Sequence, residues 1–145
     1  MNCKNMKMKD QKLLKKYAEN NNMKLIEVFE PKDENNKYFY YNPSEFLYLI
    51  KNASLVLTDS FHACVFSIIF ERDFYVFDRG DVGGIMNSRL DTLLNRYSLS
   101  NRKLDHKSML FNIEKNDIEN YKEIKKAIEN DKRESLEFIQ EALAK

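Results

Sequence analysis

An α/β fold, a Rossmann-like parallel sheet with helices on both faces, is what this sequence predicts, and three observations predict it. Short continuous apolar runs at residues 55–58 and 74–77 alternate with segments whose apolar residues recur at helical spacing. Strands apolar on both sides belong in a sheet covered on both faces. The 145 residues, 43% hydrophobic and 12% aromatic, can support one core, since a chain of this length buries roughly 70% of its unfolded surface. All three glycines lie in the stretch Gly80-Asp81-Val82-Gly83-Gly84, straight after the second apolar run. That placement marks a loop at the carboxyl end of a strand, where sheets of this type bind ligands.

Taken in order, residues 10–20 place Leu13, Leu14, Tyr17 and Ala18 on one helical face behind Asp10 as a cap. Residues 24–29, short and apolar between an asparagine cluster and Pro31, read as a strand. A polar loop at 32–37 leads to a short extended stretch at 38–41. Pro43 then opens a helix through Asn52, with Phe46, Leu47, Leu49 and Ile50 facing inward. After the strand at 55–58, Asp59 and Ser60 can each cap the segment 61–70, which is apolar almost all round and therefore expected in the interior. The strand at 74–77 and the glycine loop precede a capped helix from Asn87 to Leu94, with Leu90, Leu93 and Leu94 on one side. A long helix over 117–144 carries Ile118, Tyr121, Ile124, Ile128, Phe138, Ile139, Ala142 and Leu143. The expected organisation is one domain over 1–116 and a C-terminal helix over 117–145.

Composition removes several classes of function. The 24 basic and 23 acidic residues give a net charge of +1 and stand at 14 against 13 over residues 1–100 and 10 against 10 over 101–145, so no general nucleic-acid surface is indicated. The local excess at Lys4, Lys7, Lys9, Lys12, Lys15 and Lys16 reads as a solvated helix face. Cys3 and Cys64 have no metal-ligand neighbours at short spacing, so neither a zinc site nor a disulfide framework is expected, and a reducing cytoplasm fits. No apolar run approaches the roughly 20 residues of a membrane span, and the lysine-rich start does not read as a signal peptide.

Two strand-to-helix junctions could face one crevice: residues 58–62, and the loop from Arg79 to Arg89. His62 would stand in the first turn of its helix, where free N–H groups and the helix dipole favour an anion. A bound phosphate or carboxylate there would favour the protonated imidazole, poised as an acid. The competing reading is a core histidine bonded to a backbone carbonyl. Arg79 and Arg89 carry guanidinium forks suited to phosphate and carboxylate oxygens, or else form surface salt bridges. Ser60, Gly83, Gly84, Asn87 and Ser88 complete the expected substrate-binding set. Ser60 lacks a Gly-x-Ser-x-Gly setting and is expected to cap its helix rather than act as a nucleophile. Cys64 reads as a buried structural thiol. No spacing among Asp59, Asp78 and Asp81 specifies a metal, and no cofactor is implied.

From Ala53 to Phe77, with Thr58-Asp59-Ser60-Phe61-His62 at its centre, the sequence resembles the polysaccharide pyruvyl transferase family. The resemblance extends upstream through the helix at Pro43 and downstream through Met86-Asn87-Ser88-Arg89-Leu90-Asp91 and Leu99-Ser100-Asn101-Arg102, covering about residues 10–104. It implies the C-terminal, donor-side Rossmann-like domain of a two-domain transferase similar to GT-B glycosyltransferases, with the N-terminal domain absent. Members of the family transfer pyruvate from phosphoenolpyruvate to a pair of sugar hydroxyls as a ketal, in the assembly of exopolysaccharides and cell-surface glycans. The implied partners are phosphoenolpyruvate and a glycan or glycolipid acceptor, and the implied location is the cytoplasm or the inner face of the membrane. By resemblance His62 matches the motif histidine, with Arg79 and Arg89 as anion contacts. Ala63 and Cys64 stand where the family usually has glycine and often threonine, and Ser60 where some members have arginine. These departures and the length lead to the expectation of a fragment inactive alone. The alternatives are a glycosyltransferase domain for a nucleotide sugar, or a non-catalytic remnant that binds a protein through its last helix.

Overall fold

The computed structural model describes residues 8–28, 41–77, 84–104 and 121–144, with side chains at 12–28, 41–77, 87–104 and 121–144. The chain forms two compact units, residues 1–115 and 116–145. In the first, five helices and strands expected from the pattern appear in the order α1 (Met8–Asn20), α2 (Pro43–Asn52), β1 (Val56–Thr58), α3 (Phe61–Ile69) and β2 (Phe74–Phe77). They are followed by α4 (Gly84–Arg96), a 3-10 turn (Ser100–Arg102) and β3 (Lys103–Leu104). The second unit contains α5 (Tyr121–Leu143).

The three strands form a parallel sheet in the order β1-β2-β3, with Val56 opposite Phe74, Thr58 opposite Val76 and Phe77 opposite Leu104. Alternation along the strands decides which helix each residue meets. Tyr75, Phe77 and Leu104 pack with Leu14 of α1, and Tyr17, Leu25, Leu55 and Leu57 close the edges of that cluster. Phe74 and Val76 point to the other face and are fully buried, on the side where α3 packs against β1 and β2. Covering both faces is what makes the expected Rossmann-like α/β arrangement, and it explains why β2 is buried at all four positions.

The helix termini show how a chain with so few glycines stops its helices. Asn22, Glu71 and Ser98 adopt φ of 52°, 55° and 57°, the left-handed conformation that follows a helix end. Behind each, two backbone bonds close the helix: Met23 N–H to Ala18 O and Asn22 N–H to Glu19 O, Arg72 to Ser67 and Glu71 to Ile68, Leu99 to Leu94 and Ser98 to Asn95. Non-glycine residues pay roughly 1–2 kcal/mol for this conformation. Ser98→Gly is therefore expected to stabilise the fold by about 1 kcal/mol, read as a raised urea midpoint with unchanged slope. A midpoint that falls would contradict it.

At α2 the sequence reading is met and extended. Pro43 occupies the first turn, and Asn42, ahead of it, accepts from Glu45 N–H at 2.9 Å while the Glu45 carboxylate accepts from Asn42 N–H at 2.8 Å. This reciprocal box satisfies two otherwise orphaned donors.

Four expectations are corrected. Residues 24–28 form no strand. They follow the Asn22 turn outside any strand and help to line a cavity of about 450 Å³, with Leu25, Ile26, Val28, Phe46, Leu49 and Leu57 among its walls. Leu25 reaches the core cluster without pairing, so burial is gained and the ladder is not needed to gain it. Second, α3 is not wholly interior: Ala63, Cys64, Ser67 and Ile68 are buried, whereas His62 is exposed and Ile69 is 53% exposed. Only the face against the sheet and its neighbours is covered. Third, Asp10 lies within α1 (Met8–Asn20) and not at its cap. Fourth, α4 begins at Gly84, so Asn87 and Ser88 lie within the helix and do not start it. The stretch expected to be extended at 38–41 lies outside the described residues except Tyr41, as does the start of the long helix at 117–120.

In the second unit, Ile124 is buried, while Leu136, Phe138, Ile139 and Leu143 are exposed. No helix among the described residues is long and apolar enough to cross a membrane.

Candidate functional site

The junction between β1 and α3 is built by a threonine. Thr58, buried at the end of β1, accepts from Ser60 N–H through Oγ1 at 3.0 Å. This local bond turns the chain from strand to helix within two residues. Ser60 is the N-cap residue of α3 by backbone, but its side chain makes no capping hydrogen bond, which corrects the expected role. The hydroxyl already serving this turn belongs to Thr58. The first N–H groups of α3 lie at the carboxyl end of β1, the end of a parallel sheet where ligands dock.

His62 is the second residue of α3 and is exposed. The reading of His62 as a core histidine is therefore set aside. Its ring meets that of Phe61 edge-on, with centroids 5.9 Å apart and planes at 83°. Arg89, on α4, places its guanidinium carbon 4.4 Å from the centroid of the same Phe61 ring. A cation over an aromatic face is attracted by the ring quadrupole. The two junctions singled out in the sequence are thereby brought to one aromatic side chain, with an imidazole and a guanidinium beside the start of α3.

The other expected residues are distributed differently. Asn87 is the fourth residue of α4 and half-buried, and Ser88, the fifth, is exposed, its carbonyl accepting from Thr92 Oγ1 at 2.8 Å. Residues two apart on a helix do not share a face, so Asn87 and Arg89 do not present together. Gly84 is the first residue of α4. Arg79 and Gly83 lie outside the described residues. Phe61, the residue that joins the set, was not singled out by the sequence reading, because an aromatic residue in an apolar helix looks like core.

Behind the site, Cys64 is fully buried. Burial, and then the charge of Asp59, push its thiol up to about 12. Burial, with Tyr75 and Asp73 adding to it, also raises the Tyr17 phenol. A group whose value is raised by folding contributes stability that is complete below its unfolded value and is lost as pH rises toward its folded one. The unfolded thiol ionises at about 8.5, so stability should be level to about pH 8 and fall from there towards pH 12. Cys64→Ala should delay that fall until the tyrosine begins to contribute near pH 10. Urea midpoints measured from pH 7 to 10.5 check this, and identical profiles for the two proteins would refute it. Among the described residues no group of three or more His, Cys, Asp or Glu side chains could hold a metal ion.

A parallel sheet covered on both faces, with the start of a helix and two basic side chains at its carboxyl end, defines a Rossmann-like α/β domain with a candidate anion site. The family model for polysaccharide pyruvyl transferase matches residues 4–81, more than half of the chain, and the chain belongs to that family. The match contains β1, α3 and β2, with Ser60, Phe61 and His62, and stops before α4 and Arg89. No curated protein and no solved structure matches the chain.

Proposed function

We propose that the first unit is the donor-binding body of a pyruvyl transferase, and that the start of α3 together with Arg89 receives phosphoenolpyruvate. One observation carries this reading: Arg89 and His62 meet at the Phe61 ring beside the first turn of α3, inside a chain of this family. Phosphoenolpyruvate bears a phosphate and a carboxylate, and both guanidinium and helix N–H groups bind such oxygens. His62, protonated beside the anion, delivers its proton to the methylene carbon of the enolpyruvyl group. The electron-poor C2 is then attacked by one sugar hydroxyl, phosphate departs, and a second hydroxyl closes the ketal. The hydroxyl protons restore His62 and neutralise phosphate, so the net reaction is diol plus phosphoenolpyruvate to ketal plus phosphate. Arg79 and Gly83 complete the donor set, with Gly84 at the start of α4, Asn87 and Ser88 within it, and Ser60 offering its hydroxyl. The acceptor is a glycan or glycolipid of a surface polysaccharide, approached from the cytoplasmic side. In this reading residues 1–116 form the donor domain of a GT-B-type transferase, and residues 117–145 its C-terminal helix.

His62 and Arg89 are both exposed among the described residues. Transfer to a sugar rather than to water requires a closed crevice. The 145-residue chain alone is therefore expected to bind the donor without turning it over, the acceptor wall coming from another body. A helix dipole contributes about 0.3–1 kcal/mol and a charge-assisted contact about 1.5–3. Only the upper end of the sum, about 4 kcal/mol, reaches millimolar affinity, and it is weakened by salt.

Titration of phosphoenolpyruvate against isotope-labelled protein tests the reading. Amide shifts should cluster at residues 59–64 and 84–89, saturate in the millimolar range, and disappear in His62→Ala and Arg89→Ala. Shifts confined to the Lys12, Lys15 and Lys16 face would sink it. Tighter binding of UDP or GDP sugars than of phosphoenolpyruvate would favour the nucleotide-sugar alternative instead.

A further inference from the structure

Arg89 and His62 are long or polar side chains on two different helices, and both are exposed. An exposed arginine on a helix normally samples many rotamers, and ordering its side chain costs up to about 2 kcal/mol. An anion site whose cation must be ordered on binding loses affinity to that cost. Here the Phe61 ring is in place before any ligand arrives. It is half-buried at the first position of α3, a helix whose third and fourth residues, Ala63 and Cys64, are buried. The guanidinium lies 4.4 Å from its centroid, and the imidazole ring of His62 stands at 83° to its plane. One ring, anchored through its own backbone to the core, thus contacts both groups on which the proposed donor site depends.

We infer that Phe61 is a positioning residue: its ring holds the Arg89 guanidinium and the His62 imidazole at the start of α3 in the free protein. The inference rests on the donor-site reading for its functional meaning but not for its physical content. Phe61 touches no substrate in this account. It acts by lowering the disorder that the anion would otherwise have to remove, and by keeping α4 beside α3 at the level of the site.

Three proteins decide it: wild type, Phe61→Leu, which keeps apolar bulk without a π face, and Phe61→Tyr, which keeps the face. The first measurement needs no ligand. Ring currents should displace the Arg89 Hε and His62 Hε1 resonances from random-coil positions in wild type and Phe61→Tyr, and the displacement should vanish in Phe61→Leu. The second is the dissociation constant for phosphoenolpyruvate, expected to rise about two- to fivefold in Phe61→Leu, the range of an exposed cation–π contact, and to recover in Phe61→Tyr. Unchanged Arg89 and His62 resonances in Phe61→Leu would overturn the inference, as would a loss of both readouts in Phe61→Tyr equal to that in Phe61→Leu. If wild type shows the ring-current shifts but binds no phosphoenolpyruvate, the donor-site reading fails while the positioning by Phe61 stands. A dispersed backbone spectrum for Phe61→Leu confirms that the fold is intact when the readouts are compared.

Discussion

Arg102→Ala is expected to destabilise the fold by about 3–5 kcal/mol, the cost of stranding a charge when one partner of a buried pair is removed. Arg102 Nη1 lies 2.5 Å from Asp73 Oδ1, with side chains only 4% and 8% exposed. The guanidinium also sits 5.1 Å from the centroid of Tyr75. Asp73 stands just before β2 and Arg102 just before β3, and the Asp73 carbonyl accepts from Val56 N–H of β1 at 2.9 Å. A single aspartate thereby ties the amino ends of all three strands. Asp73→Ala should cost a similar amount, whereas the double replacement Asp73→Leu with Arg102→Met should cost clearly less than either single alanine change, because no charge is then left buried alone. Urea unfolding of the four proteins makes the comparison. If the single changes cost less than 1 kcal/mol, the pair is accessible to water and the account is wrong. The pair is at the amino end of the sheet, opposite the donor site, so the folded fraction of each variant should still show the Arg89 ring-current shift.

Phe74→Ala is expected to cost about 3–5 kcal/mol, the range for truncating a buried phenylalanine. Phe74 is fully buried in the central strand, opposite Val56 in the register. Around it the strand is buried on both faces, so the space it leaves cannot be filled by a shift toward solvent. Tyr48→Ala on α2, at a side chain 67% exposed, should change stability by no more than about 0.5 kcal/mol. Equal effects for the two would mean that β2 is not the centre of the core. The loss in Phe74→Ala should carry the donor site with it, because α3 packs against β1 and β2 on that face and the site stands on the start of α3.

These two residues differ in how far the sequence announces them. Phe74 belongs to the run Phe74-Tyr75-Val76-Phe77, whose unbroken apolar character requires burial on both sides, and the strand forms with those bounds. The same kind of local information places Pro43 at the start of α2 and Leu14 on the inward face of α1. Periodicity and proline act within a few residues, so they survive whatever the rest of the chain does. The motif around His62 is legible for the same reason, being contiguous.

The pairing of Asp73 with Arg102, 29 residues apart, has no local signature, and neither does the meeting of Arg89 with Phe61. Both depend on which strand lies beside which and on how α4 settles against α3. Residues 24–28 show the reverse effect: their composition favours a strand, yet Leu25 finds its burial on the core cluster without joining the sheet, because burial, not propensity, supplies most of the driving force. The exposure of His62 was likewise decided by packing, since α3 has apolar residues on every side and only contact with the sheet selects the face to be covered. By itself the sequence determined the helices, two parallel strands, of which β2 is buried throughout, and the family to which they belong. Tertiary structure alone decided which of its many charged and aromatic side chains stand together at the end of those strands, because proximity between distant residues is a property of the assembled sheet and not of any segment in it.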